Sequence, residues 1–398
     1  MNSRVTVIVP TYNRAHFLPE CLDALLAQIV PASEIIVVND GSTDGTLEAL
    51  APYRSRIVYL EKPNGGKASA LNMGLAHATG EFIWIFDDDD ISLPGALETH
   101  LEAFSNDPSV DFTYSGYHVA ITDPETGILK IVETYEPFRG LAKSLFLAYV
   151  MGASGEGIGS MTPQAMLVRK RCYDIVGPFD ESFSRSEDRE MNLRLCRSFR
   201  GLRIDRPTCI LRRHDGVRGP SFDLHPNSER NEQHLVKDRL VFRKLYETMP
   251  VHMYLDVPNP GEKVEDHMGD ALVARARIMA RLDLDDFVTR DLTELKELVC
   301  ENKVALDRKI LESLFALEVL YQHKGRLRWV WTVYKLIKDL VCQAGNERKI
   351  RRHVAKYYYW KSVEHFRRGQ RGEIFLGILK ALAILGFRGF LAIKIWRR

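Results

Sequence analysis

Gly80-Glu81-Phe82-Ile83-Trp84-Ile85-Phe86-Asp87-Asp88-Asp89-Asp90 is the stretch on which the reading of this chain turns. The apolar run from Phe82 to Phe86, bounded by Gly80 and by Ser92-Leu93-Pro94, predicts a short strand buried on both faces. In an open α/β sheet, ligands bind just outside the carboxyl ends of the strands. Four carboxylates packed at such an end repel one another, so stability alone does not favour them. A divalent cation offsets that repulsion, and closely spaced carboxylates suit hard cations such as Mg²⁺ or Mn²⁺. The plainer alternative is a solvated acidic loop capping a helix that starts near Pro94.

The flanking sequence repeats the pattern. Val5 to Val9 predicts a β-branched strand closed by Pro10, followed by a helix from about Ala15 to Gln28 with Phe17, Leu18, Cys21, Leu22 and Leu25 at helix-face spacing. Glu34 to Asn39 predicts a second strand, ending in Asp40-Gly41-Ser42-Thr43-Asp44-Gly45, which opens a helix through Ala51. A third strand covers Ile57 to Leu60, then Asn64-Gly65-Gly66-Lys67 leads into a helix from about Ala68 to Ala78. Strands alternating with such helices imply βαβ units and a mainly parallel sheet. Parallel strands set Pro10-Thr11-Tyr12-Asn13, Asp40 and Asp87 to Asp90 side by side, where a nucleotide would lie. Asp40 is suited to accept from a base edge and Tyr12 to stack on it; a turn cap and a gap filler are the plainer roles. Neither G-x-G-x-x-G after the first strand nor G-x-x-x-x-G-K-S/T is present.

A chain of 398 residues has room for two or three domains, and 45% hydrophobic content excludes wholesale disorder. The first residues run straight into a strand, with no basic-then-apolar leader. The six cysteines show no C-x-x-C spacing, which fits a reduced, cytoplasmic protein without a structural zinc. No apolar run is long enough to span a bilayer. The net charge of +2 hides an asymmetry: from His323 onward there are 19 Lys/Arg against 4 Asp/Glu, and before it 36 against 49. The basic end favours an anionic surface.

Several ordered motifs carry a specific resemblance. Val9-Pro10-Thr11-Tyr12-Asn13-Arg14, Val37-Val38-Asn39-Asp40-Gly41-Ser42-Thr43-Asp44-Gly45-Thr46, Asn64-Gly65-Gly66-Lys67, Asn72-Met73-Gly74-Leu75, Gly80-Glu81-Phe82-Ile83 and the Asp run resemble family-2 glycosyltransferases of the GT-A fold, over residues 4 to about 215. The resemblance implies a Rossmann-like, mainly parallel α/β sheet flanked by helices. It also implies transfer of a sugar, with inversion, from a nucleotide-diphospho-sugar to a hydroxyl. By the same match Asp88 faces the ribose or sugar, Asp89 holds a Mn²⁺ or Mg²⁺ that bridges the diphosphate, and Asp87 and Asp90 support the site. Pro10, Thr11, Tyr12, Asn13, Asp40, Gly66 and Lys67, with Asp87 and Asp88, fall on donor-binding positions. The family's Ala-Arg-Asn is Ala70-Leu71-Asn72 here, so no arginine contact carries over at Leu71.

The chemistry also needs a base, because the acceptor hydroxyl loses its proton as it attacks. Ser186-Glu187-Asp188 opens an amphipathic helix to about Phe199, and acids in a first turn are stabilised by the helix dipole, which favours ionised carboxylates. By themselves Glu187 and Asp188 read equally as caps. Val176-Gly177-Pro178-Phe179-Asp180-Glu181 followed by Ser186-Glu187-Asp188 resembles the family's acceptor-side segment, which implies Asp188 as the base and Glu187 as an acceptor contact. In Leu211-Arg212-Arg213-His214-Asp215-Gly216, expected past the last sheet element, the resemblance makes His214 a metal ligand; a solvated histidine is the other reading. Residues 153–160, rich in Gly and Ser, predict a loop able to line the acceptor site.

From about Ser228 the pattern turns helical, with His234 to Glu247, Gly269 to Arg281 and Leu292 to Glu301 as examples, which sets a 1–225 transferase domain before a 226–398 helical region. Ala355 to Trp360 with Glu373 to Ile384 weakly resembles a tetratricopeptide pair. Arg326 to Trp331 and Phe375 to Arg398 combine aromatics, aliphatics and Lys/Arg, a pattern suited to an interfacial helix on anionic lipid or to the outer face of a helical bundle. No nucleic-acid recognition module is visible. The expectation is a hexosyl- or N-acetylhexosaminyl-transferase acting on a glycan or lipid-linked acceptor, with a peripheral seat on the inner face of the cell membrane as a further option. The alternatives are a nucleotidyltransferase on a similar sheet and a non-catalytic nucleotide-sugar-binding protein.

Overall fold

The computed structural model describes residues 4–123, 125–137, 149, 161–214, 230–255, 267–306, 310, 313 and 314. The expected loop at 153–160, the helix pair at 355–384 and the basic stretch from 323 lie outside them. The chain divides into two compact units, 1–247 and 248–398.

In the first unit, β1 (Val5–Thr11) is the central strand. It pairs in parallel with β2 (Glu34–Asn39) on one side and with β4 (Phe82–Ile85) on the other, and β3 (Val58–Glu61) extends β2 in parallel. Beyond β4 the sheet becomes mixed. β8 (Met166–Arg169) lies antiparallel between β4 and β6 (Phe112–Thr122); β9 (Gly201–Arg213) runs parallel to β6; β5 (Ile91–Ser92) and β7 (Leu129–Tyr135) complete the order β3-β2-β1-β4-β8-β6-β9-β5, with β7 on β6. The helices between these strands are α1 (Leu18–Leu26), α2 (Thr46–Leu50), α3 (Lys67–His77), α4 (Ala96–Asn106), α5 (Lys170–Val176) and α6 (Glu187–Ser198), and α7 (Arg230–Thr248) ends the unit.

The two-residue period of β1 explains the layers. Val5, Val7 and Val9 join Leu18, Leu22 and Leu25 of α1, together with Trp84, Phe86, Leu97 and Phe104, in one apolar layer. Ile8, on the opposite face, meets α3, where a Cβ at Gly74 would stand 2.5 Å from Ile8 Cγ2. Both faces are therefore covered, which is why these strands are continuous apolar runs rather than alternating ones. Each fully buried Val, Ile or Phe contributes about 1.5–3 kcal/mol.

Of the expected boundaries that moved, those of β1 and α1 have a direct physical reason. β1 continues through Pro10 to Thr11 instead of closing at Pro10. Its ladder with β4 stops at Ile8 and Ile85, so the missing proline N–H breaks no rung there. α1 starts at Leu18 rather than Ala15, because Pro19 is tolerated only in a first turn.

In the second unit, α8 (Met268–Arg281) and α9 (Asp285–Cys300) form a helical hairpin whose turn carries Asp283 at φ 57°. Arg275 and Asp291 pair across it, with Asp291 wholly buried and Nη2 to Oδ1 at 2.6 Å.

Gly74→Ala tests the layer contact. Alanine is favoured over glycine in a helix by about 1 kcal/mol, but overpacking a core costs about 1–3 kcal/mol. Ile8 is β-branched and wholly buried, so it cannot yield. We expect a net loss in the urea midpoint of Gly74→Ala relative to the parent.

Candidate active site

The strand ends of β2, β1 and β4 lie in that order, and the three polar clusters expected from the sequence meet there. The loops after β1 and β2 are laced together. Asp40 N–H donates to Thr11 O at 2.9 Å, Asn13 N–H to Ser42 Oγ at 2.9 Å, Thr43 N–H to Asn13 Oδ1 at 2.7 Å and Ala15 N–H to Asp44 Oδ2 at 3.0 Å. Asn13 takes φ 53°, a conformation asparagine tolerates because its short side chain bonds locally. Pro10 and Thr11 are buried and Tyr12 is half-buried at this edge.

Asp40 is buried, and its two oxygens accept four hydrogen bonds. Lys62 Nζ (2.6 Å) and Gly65 N–H (3.0 Å) reach Oδ1; Asn64 Nδ2 (3.1 Å) and Gly66 N–H (2.7 Å) reach Oδ2. One carboxylate thus shapes the whole Asn64-Gly65-Gly66-Lys67 turn that starts α3. Lys62 thus occupies an oxygen of the carboxylate that was expected to accept from a base edge.

Asp88, Asp89 and Asp90 are all buried, and each has a charged or polar partner. Arg14 Nη1 lies 3.1 Å from Asp88 Oδ1 and 2.5 Å from Asp89 Oδ2. Burial works against the charge on Arg14, but Asp88, Asp89 and Asp87 outweigh it and keep the guanidinium protonated. His214 Nε2 sits 2.9 Å from Asp89 Oδ2. Asp90 accepts the Arg212 backbone N–H at 2.8 Å and Gln164 Nε2 at 2.8 Å, while Arg212 Nε reaches the Asp89 carbonyl at 3.0 Å. Burial pushes the Asp88 carboxyl upward, with Arg14 pulling the other way. Leu211, Arg212 and Arg213 belong to β9 itself, not to a segment past the last strand. Their pairing with β6 is what carries His214 to Asp89.

Asp87, Asp89 and Asp90 each offer an oxygen within 4.8 Å of the others. An all-oxygen, anionic donor set of this kind fits a hard divalent cation.

Lys67, the first residue of α3, joins this cluster to α6. Its Nζ lies 2.6 Å from Asp87 Oδ1 and 3.8 Å from Glu187 Oε1. Burial opposes the charge on Lys67, and Asp87, Glu187 and Asp188 restore it. Glu187 is buried, Asp188 half-buried, and Asp188 Oδ1 accepts the Arg189 backbone N–H at 2.7 Å. For Glu187 the expected dipole effect is overridden: burial pushes its carboxyl up to about 7, against the attraction of Lys67. A second tie holds the two sides together. Asn72 of α3 donates to Phe179 O at 2.9 Å and to Glu181 Oε1 at 2.8 Å, and accepts the Phe179 N–H at 2.8 Å.

With this geometry in place, residues 6–151 match Glycosyl transferase family 2. Over this segment, a little more than a third of the chain, the protein is similar to family-2 glycosyltransferases. An uncharacterized glycosyltransferase of Rickettsia prowazekii is 30% identical over 188 residues, 47% of this chain and 57% of that protein. The chondroitin synthase of Pasteurella multocida is 38% identical over 114 residues, 28% of this chain and 12% of that protein. The chain therefore spans little more than half of the first relative and a small part of the second. The solved structure of S. aureus TarS 1–349 in complex with UDP-GlcNAc is similar at TM-score 0.46 and 19% identity, over 87% of this chain and 92% of that one. The family-2 match contains Asp40, Lys67 and the Asp run; α6 and His214 lie beyond it.

Arg14, Lys62, Gln164 and Arg212 escaped the sequence reading. Arg14 and Arg212 stand inside quoted motifs, yet their partners are 75 and 123 residues away. No local periodicity reports that. Among the described residues no helix is long and apolar enough to cross a membrane.

Glu187 yields a pH prediction. Its folded carboxyl binds a proton more tightly than the unfolded one, so between about pH 4.5 and 7 the unfolded chain holds fewer protons and stability falls as pH rises. Glu187→Gln removes this term. The gap in Tm between variant and parent should move in favour of the variant across that window and level off above it.

Proposed function

We propose that the chain is an inverting glycosyltransferase that moves a sugar from a nucleotide-diphospho-sugar to a hydroxyl of a glycan or lipid-linked acceptor. The observation that carries the reading is Lys67, which links the aspartates at the end of β4 to the first turn of α6. A site for an anionic donor and a pair of carboxylates suited to an acceptor thus share one wall. Within it, Tyr12 stacks on the base, with Pro10, Thr11 and Asn13 forming that edge and Asp40 and Gly66 shaping the turn beneath it. Asp88 faces the ribose or sugar. Lys67 attracts the diphosphate while holding Asp87. Asp89, with Asp87 and Asp90 and with His214 beside it, would hold Mn²⁺ or Mg²⁺, which when bound supplies positive charge to the leaving diphosphate.

Asp188 takes the proton from the attacking hydroxyl, and Glu187 binds the acceptor. Attack on the face opposite the leaving group gives inversion. The transferred group is a hexose or N-acetylhexosamine, a class that fits relatives named as chondroitin and hyaluronan synthases. The basic stretch from His323 favours an anionic membrane surface at the inner face of the cell membrane, and co-sedimentation with anionic vesicles at low salt tests it.

The deciding experiment screens nucleotide sugars for release of nucleoside diphosphate with and without Mn²⁺. Release that EDTA abolishes fits the reading. Full activity in excess EDTA removes the metal, pyrophosphate release points to a nucleotidyltransferase, and no turnover with any donor points to a binding protein. Asp188→Asn should lower kcat by about 10²–10⁴-fold with donor affinity nearly unchanged, since general-base catalysis acts in the transition state. Turnover within a few-fold of the parent would exclude Asp188 as the base.

A further inference from the structure

The first turn of α6 is held from outside by α7. Ser186, the residue that caps this turn, is buried at φ 63°, a left-handed conformation that serine adopts only under constraint. Its Oγ donates to Asp238 Oδ1 at 2.7 Å. The Arg189 guanidinium pairs with Asp238 Oδ2. Asp238 is 7% exposed, so this is a buried carboxylate joined to both neighbours of the Glu187-Asp188 pair. Lys244, two turns along α7, adds 2.8 Å contacts to Asp180 and Glu190.

Arg189 is the cation nearest to Asp188 in sequence, and the two attract. A guanidinium left without another partner there would hold the Asp188 carboxylate and weaken it as a proton acceptor. Among the described residues, other charged or titratable groups that act on Asp188 include Lys67 from α3, Glu187 from its own helix, Asp238 from α7 and Tyr149. Of these, Asp238 is the one that binds Arg189.

We propose that Asp238 is a positioning residue for the base: by engaging Arg189 and Ser186 it fixes the first turn of α6 and leaves the Asp188 carboxylate open to an acceptor hydroxyl. The inference rests on the reading of Asp188 as the base. It adds a part of the site that lies outside the family-2 match.

The test titrates Asp188 directly by carboxyl ¹³C NMR, assigned by the signal lost in Asp188→Asn, and so needs no substrate. In Asp238→Asn the Arg189 charge is no longer balanced. The Asp188 midpoint should fall by about a unit or more, within the range an adjacent cation produces. Asp238→Asn with Arg189→Gln should return it toward the parent. If Asp238→Asn does not fold, as judged by circular dichroism, Arg189→Gln alone decides, and its midpoint should rise. Because Asp238 also repels Asp188 directly, a merely structural or through-space role gives the same Arg189→Gln shift with and without Asp238, whereas the positioning role makes that shift larger in the Asp238→Asn background. An unmoved midpoint in Asp238→Asn, a double variant that does not return, or a fall in Arg189→Gln overturns the proposal. Normal kcat in Asp188→Asn removes the base itself, whereas an inactive Asp188→Asn with an unmoved Asp238→Asn midpoint removes only this inference.

Discussion

Burying carboxylates without counter-charges is the constraint on which the rest of this site depends. Taking an ion out of water costs several kcal/mol even after relaxation, and only close partners offset it. The four aspartates after β4 meet that condition with partners from different parts of the fold: the Arg14 and Lys67 cations from the β1 loop and the start of α3, and the His214 ring from the end of β9. Asp90 relies on neutral donors, a backbone N–H and the Gln164 amide. The cluster is thus balanced by the elements that form its walls. A ligand that brings its own cation or anion enters a network in which every charge already has a defined neighbour.

The scaffold makes that balance possible. β1 is covered on both faces, and Gly74 lets α3 approach Ile8 so closely that a methyl group would collide. That approach brings Lys67 to Asp87 at one end of α3. Asn72, further along the same helix, binds the Phe179-Asp180-Glu181 turn that precedes α6. One helix therefore sets the distance between the aspartates after β4 and the first turn of α6. Asp40 adds the corresponding restraint at the helix start, where its carboxylate collects the turn's N–H groups.

The second unit shows the same economy of charge in a different setting. Arg275 and Asp291 cross the α8–α9 hairpin with Asp291 fully buried, so removing either one takes a close counter-charge from a buried ion.

Much of this was legible in the sequence because it is local. The strand Phe82 to Ile85, its acidic end, the helix and strand alternation before it and the order of the motifs follow from periodicity, turn residues and like-charge crowding. Those features also predicted that Thr11, Asp40 and Asp87 would share one edge, since parallel strands leave no other arrangement. What they could not give is which side chain meets which. Arg14 on Asp89, Arg212 on Asp90, Asn72 on Phe179 and Arg189 on Asp238 join residues that are 49 to 122 positions apart. The ionisation of Glu187 went the same way: first-turn position favours the charged form, and burial reverses it. Periodicity fixes a residue's face on its own element, but the partner across the gap depends on strand register and helix approach, and these exist only in the folded chain.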